Sequence, residues 1–131
     1  MIPYDKTHDP PAPMLSITVS GVVRSRPRVT VPALIDTGSD ITAVPAELAE
    51  KLRLYEFGRL QIEGVHGVTS PVYTYEARLA HAERTAREIE VILTHLPFVI
   101  LGRDWLQNYY LCLNGPDQRL QLSDKPLPIQ N

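Results

Sequence analysis

Leu34-Ile35-Asp36-Thr37-Gly38-Ser39-Asp40 runs two apolar side chains into a carboxylate and then into small polar residues. The apolar pair predicts the end of a buried strand. Asp-Thr-Gly-Ser predicts a tight turn, because glycine tolerates φ > 0 and Asp and Ser side chains bond nearby backbone amides. A carboxylate on such a turn is held by backbone and aimed away from the core, a placement that suits a catalytic acid or base. Taken alone, Asp-Thr-Gly fits an ordinary turn between strands equally well, since turns use these residues everywhere. The flanking chain separates the two readings.

Upstream, Pro3, Pro10, Pro11 and Pro13 make residues 1–13 a Pro-rich arm or disordered lead-in, poor in backbone donors. Leu15, Ile17 and Val19 alternate and predict a strand over 14–19. After Gly21, Val22-Val23 opens a second strand with Arg24, Arg26 and Arg28 at a solvated tip. Val29 to Ile35 then delivers Asp36, and Pro32 places that strand at an edge or a bulge.

Downstream, Pro45, Glu47 and the i,i+4 pair Leu48/Leu52 predict a short helix. Runs 60–65 and 68–79 predict a long hairpin with Gly64-Val65-His66-Gly67 at its tip. Residues 87–93 read as a strand. Pro97-Phe98-Val99-Ile100-Leu101, closed by Gly102, reads as a fully buried one. A two-turn helix is expected from Arg103 to Tyr110. Asn114-Gly115-Pro116-Asp117 then signals a hairpin between 110–113 and 120–122. The expected fold is mostly β: one domain over 14–123, with the arm before it and a polar tail, 124–131, after it.

A length of 131 residues suits one domain that buries its own core. A net charge of −2 offers no basis for nucleic acid or an anionic membrane as partner. Cys112 is the sole cysteine, so no intrachain disulfide forms. It is read as a buried strand residue and not a nucleophile, and it fits a reducing compartment. The N-terminus carries no basic-then-apolar leader, and no apolar run is long enough to span a membrane. A cytoplasmic protein is expected. His81 and His95 lack metal-ligand spacing, and no Gly-rich phosphate loop is present, so neither metal nor cofactor is expected.

The 34–40 stretch, followed by Val99-Ile100-Leu101-Gly102-Arg103-Asp104, resembles the retropepsin family. These are the single-domain aspartic proteases of retroviruses and their cellular and bacterial relatives. Asp36 and Gly102 stand 102 − 36 = 66 positions apart, with the candidate flap hairpin between them. The resemblance runs from about Leu15 to Leu122 and implies a retropepsin-like β-barrel with a flap.

The chemistry explains the pattern. Peptide hydrolysis without a metal or covalent intermediate needs a base to activate water and an acid to polarise the carbonyl. Two adjacent carboxylates supply both, and at that distance they share one proton. This chain holds one Asp-Thr-Gly. The resemblance therefore implies a symmetric homodimer with Asp36 and its twin on the two-fold axis, cutting polypeptide in extended conformation.

The same resemblance assigns the remaining roles. Thr37 locks the two active-site turns across the dimer, and Gly38 lets substrate backbone approach. Ser39 donates to the Asp36 carboxylate, favouring the anion and an acidic optimum. Asp40 bonds substrate backbone at the cleft rim and pairs with Arg103. Gly64, Val65, His66 and Gly67 form the substrate-gripping flap tip, with His66 exposed. Leu101, Gly102 and Arg103 support the site, with Val99 and Trp105 in the core beneath it. Leu34, Ile41, Val65 and Val99 are candidates for apolar subsites. Because the hairpin after the second helix is fuller than in retroviral enzymes, the dimer interface is expected there. The alternative function is a retropepsin-fold dimerisation or peptide-binding module with little or no proteolysis.

Overall fold

Alternating apolar residues build the strands, and the turn residues between them set where each one stops. The computed structural model describes residues 1–23, 27–63 and 66–128. In chain order, β1 (Ile2–Pro3), β2 (Met14–Ser20), β3 (Arg28–Ile35) and β4 (Ala43–Pro45) lead into helix α1 (Ala46–Lys51). Next come β5 (Tyr55–Glu63), β6 (Thr69–His81), β7 (Arg87–Thr94) and β8 (Val99–Leu101). Helix α2 (Arg103–Leu106), β9 (Tyr110–Asn114) and β10 (Arg119–Ser123) complete the described elements. The mostly β expectation holds, as do the helix after Pro45 and the buried strand before Gly102.

Six strands close on themselves in the order β2-β3-β8-β4-β7-β6, and β6 returns to pair with β2 from Ser20↔Arg78 to Ile17↔His81. Closure leaves these strands few free edges. β5 lies outside the ring and pairs with β6 alone. Inside the barrel, Ile17, Val19, Leu79, Val91, Val99 and Leu101 pack with Trp105, all wholly buried. The buried indole N–H needs an acceptor; Trp105 Nε1 donates to the Leu79 carbonyl at 3.3 Å.

One pairing positions the site. β3 and β8 run parallel, with Ala33 beside Val99 and Ile35 beside Leu101. Parallel strands in register end on the same side of the sheet, so the residues following each emerge together. Pro32 lies one position short of this pairing, where β3 has β2 alone as neighbour. That is the edge placement proline requires.

A second, three-stranded sheet has the order β1-β10-β9. Ile2 pairs with Leu120 and Pro3 with Arg119, and the Tyr4 amide donates to the Gln118 carbonyl at 2.8 Å. Ile2 and Tyr4 pack on the core. The Pro-rich segment is thus a fastened arm and not a disordered lead-in. Within it, the Thr7 hydroxyl and amide donate to Asp5, holding that carboxyl below its ordinary value.

Four expectations are corrected. The strand delivering Asp36 begins at Arg28, with Val22-Val23 in a bend before it; Arg24 and Arg26 lie outside the described residues. β5 begins at Tyr55 instead of Leu60, because the 13-residue β6 offers it partners as far as Glu76. α2 makes one turn instead of two; Asn108 Nδ2 donates to the Trp105 carbonyl at 2.9 Å, a local side-chain bond that competes with continued helix. Cys112 is exposed and not buried. It stands opposite Gln121 on the face away from Leu120 and Leu122, which carry the contacts to the core. No helix among the described residues is long and apolar enough to cross a membrane.

Candidate active site

Ile35 ends β3 almost fully buried, and the ladder continues one residue further: the Asp36 amide donates to the Leu101 carbonyl at 3.0 Å. The turn then closes on itself. The Gly38 amide donates to Asp36 Oδ1 at 3.0 Å, and the Ser39 amide to the Asp36 carbonyl at 3.2 Å. A Cβ on residue 38 would stand 3.3 Å from Asp36 Oδ1 and crowd the carboxylate. Asp36 is half-buried, while Thr37 and Gly38 are exposed beyond it.

The second motif braces this turn. The Arg103 amide donates to the Ser39 carbonyl at 2.8 Å, and Arg103 Nη1 donates to the Thr37 carbonyl at 2.7 Å. Gly102 is wedged against the loop: an added Cβ would lie 2.8 Å and 2.9 Å from the Ile41 carbonyl carbon and oxygen and 3.0 Å from the Ser39 oxygen. The structure thus brings Asp36, Thr37, Gly38 and Ser39 together with Leu101, Gly102 and Arg103.

Two residues that the motifs did not single out complete the brace. Thr42, wholly buried, donates its hydroxyl to Asp104 Oδ1 at 2.6 Å and its amide to Oδ2 at 3.1 Å. The same hydroxyl accepts the Gly102 amide at 3.0 Å. Asp104 Oδ1 also takes the Trp105 amide at 2.9 Å. Asp104 at the end of the second motif and Thr42 two places past the first were the available signal; which partner each takes depends on the parallel pairing. Thr42→Val removes the hydroxyl, orphans the Gly102 amide and leaves Asp104 Oδ1 with the Trp105 amide alone. It is expected to cost about 2 kcal/mol, read as a lower urea midpoint at unchanged slope.

Several assignments change. The Ser39 hydroxyl donates to the Ile41 carbonyl at 2.7 Å and not to Asp36. Arg103 and Asp40 form no ion pair; among the described residues the ion pairs are Arg78–Glu88 and Arg84–Asp124. The start of α2 turns Arg103 back over the Asp36 turn, where the Thr37 carbonyl meets it. Val99 is wholly buried in the core and lines no subsite, because it faces inward from β8. Gly64 and Val65 lie outside the described residues. His66, exposed, and Gly67, at φ 73°, stand between Glu63 and Thr69, the last cross-strand pair of the β5–β6 hairpin.

A cleft of about 930 Å³ opens beside the turn. Ser39, Asp40 and Ile41 line it from the loop, residues 60–63 from β5, Ile89, Glu90 and Ile92 from β7, and Asp104 and Gln107 from the α2 end. Ile41 is therefore the apolar-subsite candidate the cleft includes; Leu34 sits half-buried in β3 outside it.

Residues 9–114 match the family described as retroviral aspartyl protease. In fold the chain is similar to EIAV protease, solved with the inhibitor HBY-793 (22% identity over 73% of this chain and 86% of that one, TM-score 0.52). It is similar also to simian foamy virus (mac) protease (20% identity, 72% and 96% covered, TM-score 0.53). A third likeness is to the retroviral protease-like domain of Ddi1 from Leishmania major (18% identity, 86% and 90% covered, TM-score 0.51). At such identities the likeness is one of fold. No curated protein matches the sequence. The braced Asp-Thr-Gly turn and a family match over most of the chain agree, and the chain belongs to the retroviral aspartyl protease family.

Proposed function

We propose that this chain is an aspartic endopeptidase whose catalytic pair, Asp36 and its twin, forms on the two-fold axis of a homodimer. The observation that carries the reading is the intact Asp36-Thr37-Gly38 turn, with its carboxylate aimed by the Gly38 amide and its backbone braced by Arg103. Residues 14–123 are the protease unit, with 1–13 its arm and 124–131 its tail.

In this reading a water lies between the two carboxylates. The ionised Asp36 takes a proton from that water as it attacks the scissile carbonyl, while the protonated twin donates to the carbonyl oxygen. The tetrahedral intermediate then collapses, with a proton passing to the leaving amine. No metal or cofactor takes part. Thr37, exposed on the turn, reaches the partner turn; Gly38 leaves room for substrate backbone. Asp40 bonds extended polypeptide at the rim. The 64–67 tip closes over the substrate as a flap. Arg103 supports the turn through Thr37 and not through Asp40. With Ser39 bonded to Ile41, an acidic optimum rests on the shared proton alone. The interface is built from the β9–β10 hairpin, where β9 is the sheet edge and Tyr110 and Leu113 are exposed. An exposed free thiol at Cys112 suits the cytoplasm.

The test is specific activity on casein as the protein is diluted, with sedimentation read in parallel. Activity should fall with the dimer fraction, because each copy brings half of the site. Specific activity that stays flat while the protein becomes monomeric would refute a shared pair.

A further inference from the structure

Among the described residues, the cleft beside the Asp36 turn is lined by carboxylates and by no lysine or arginine. Ile41, Leu60, Ile89 and Ile92 give it a half-buried apolar floor, and Glu63 and Glu90 stand at that floor with Asp40. Asp104, also in the lining, is already bonded to Thr42. Asp40, Glu63 and Glu90 enter none of the ion pairs found among the described residues. The whole chain carries a net charge of only −2, so the excess of acids in this lining is a local feature and not one of overall composition.

Glu90 has another acid as its cross-strand partner. The β6–β7 register sets it directly opposite Glu76, and both are half-buried. Like charges directly opposite in a ladder are destabilising. Glu90 also lines a smaller hollow of about 250 Å³, shared with Glu76, Glu88 and Phe57. A cation arriving at Glu90 relieves this repulsion.

An apolar floor with acids around it matches one kind of side chain, a long apolar stem ending in a cation. We infer that this cleft selects polypeptides carrying Lys or Arg within a few residues of the bond to be cut, and that Glu90 and Glu63 are the residues that read that charge. As a statement about cleavage, the inference rests on the protease reading of the site. As a statement about binding, it rests on the cleft alone.

The experiment separates the two. Fluorescent peptides of one neutral, extended sequence carry a single Lys, Met or Glu walked along its length. Binding is read by anisotropy on the Asp36→Asn protein, and cleavage is read as kcat/KM on the unaltered protein. At one position or two, Lys should be preferred to Met by about tenfold, as for a pair more sheltered than an exposed one. The preference should shrink at high salt. Glu90→Gln should lower the Lys/Met ratio about threefold, and Glu90→Lys should turn the preference toward Glu, with folding checked by circular dichroism. Equal binding of all three peptides at every position, or ratios that neither Glu90 variant moves, would overturn the inference. If the protein cuts all three alike, the protease reading stands and this one falls. If the Asp36→Asn protein prefers Lys while the unaltered protein cuts nothing, the preference stands and proteolysis falls.

Discussion

Asp36→Asn is expected to lower cleavage of an unstructured protein such as casein by about 10²- to 10⁴-fold, the range for loss of one general acid–base function. Asparagine keeps the size of the side chain and an oxygen for the Gly38 amide, which lies 3.0 Å from Asp36 Oδ1. The turn should therefore survive, with the Asp36 amide still bonded to Leu101 and Arg103 still bonded to Thr37. What disappears is the ability to take a proton from water. Both proteins should be assayed between about pH 4 and 7, with the dimer state measured for each. A dead but dimeric variant beside an active parent is the expected result. Equal cleavage by both would reduce Asp36 to a turn residue. Silence from both, with dimers intact, would favour the peptide-binding alternative.

Gly102→Ala should lower stability by about 3 kcal/mol, at the upper end for overpacking a tight site, and lower Tm by about 10 °C in a domain of this size. The added methyl meets the Ile41 carbonyl carbon at 2.8 Å, its oxygen at 2.9 Å and the Ser39 oxygen at 3.0 Å. All three are backbone atoms, so no rotamer change relieves the clash. Relief requires α2 to retreat from the 39–41 loop, which pulls on the Arg103 bonds to Ser39 and Thr37 and on the Thr42 bond to the Gly102 amide. Activity should therefore fall more steeply than the folded fraction. Gly115→Ala is the control: its Cβ would meet nothing within 4 Å, and a change within about 0.5 kcal/mol is expected. Should Gly102→Ala melt within a degree or two of the parent, the wedge is looser than its geometry implies.

Both substitutions act at motifs that the amino-acid sequence itself makes legible. The strand entering Asp36 reads from its apolar run, and the turn reads from Asp, Gly and Ser, because such turns are closed by bonds spanning two or three residues. The Gly38 amide on Asp36 and the Ser39 amide on its carbonyl are bonds of that kind. The 114–117 hairpin tip is another: the Asp117 amide donates to Asn114 Oδ1, and Asn114 Nδ2 donates to Asp117 Oδ2. Pro32 signals an edge because a missing donor is a property of the residue itself.

Other features depended on what the fold brings near. Ser39 has a hydroxyl within reach of either Asp36 or Ile41, and composition does not rank the two acceptors. Arg103 has a long side chain, and the α2 start sends it to the Thr37 carbonyl instead of Asp40. Cys112 sits in an apolar run, yet its cross-strand partner Gln121 marks the solvent face. By itself, then, the sequence determined the turn that carries Asp36, the buried strand before Gly102, the long hairpin and the mostly β class. All of these rest on local spacing and local hydrogen bonds. Tertiary structure alone decided the Thr42–Asp104 lock, the closed six-strand ring and the acid-lined cleft. These depend on parallel β3–β8 pairing across 66 residues (Leu34 to Ile100) and on β7 lying beside β4 and β6, contacts between segments whose local chemistry carries no mark of one another.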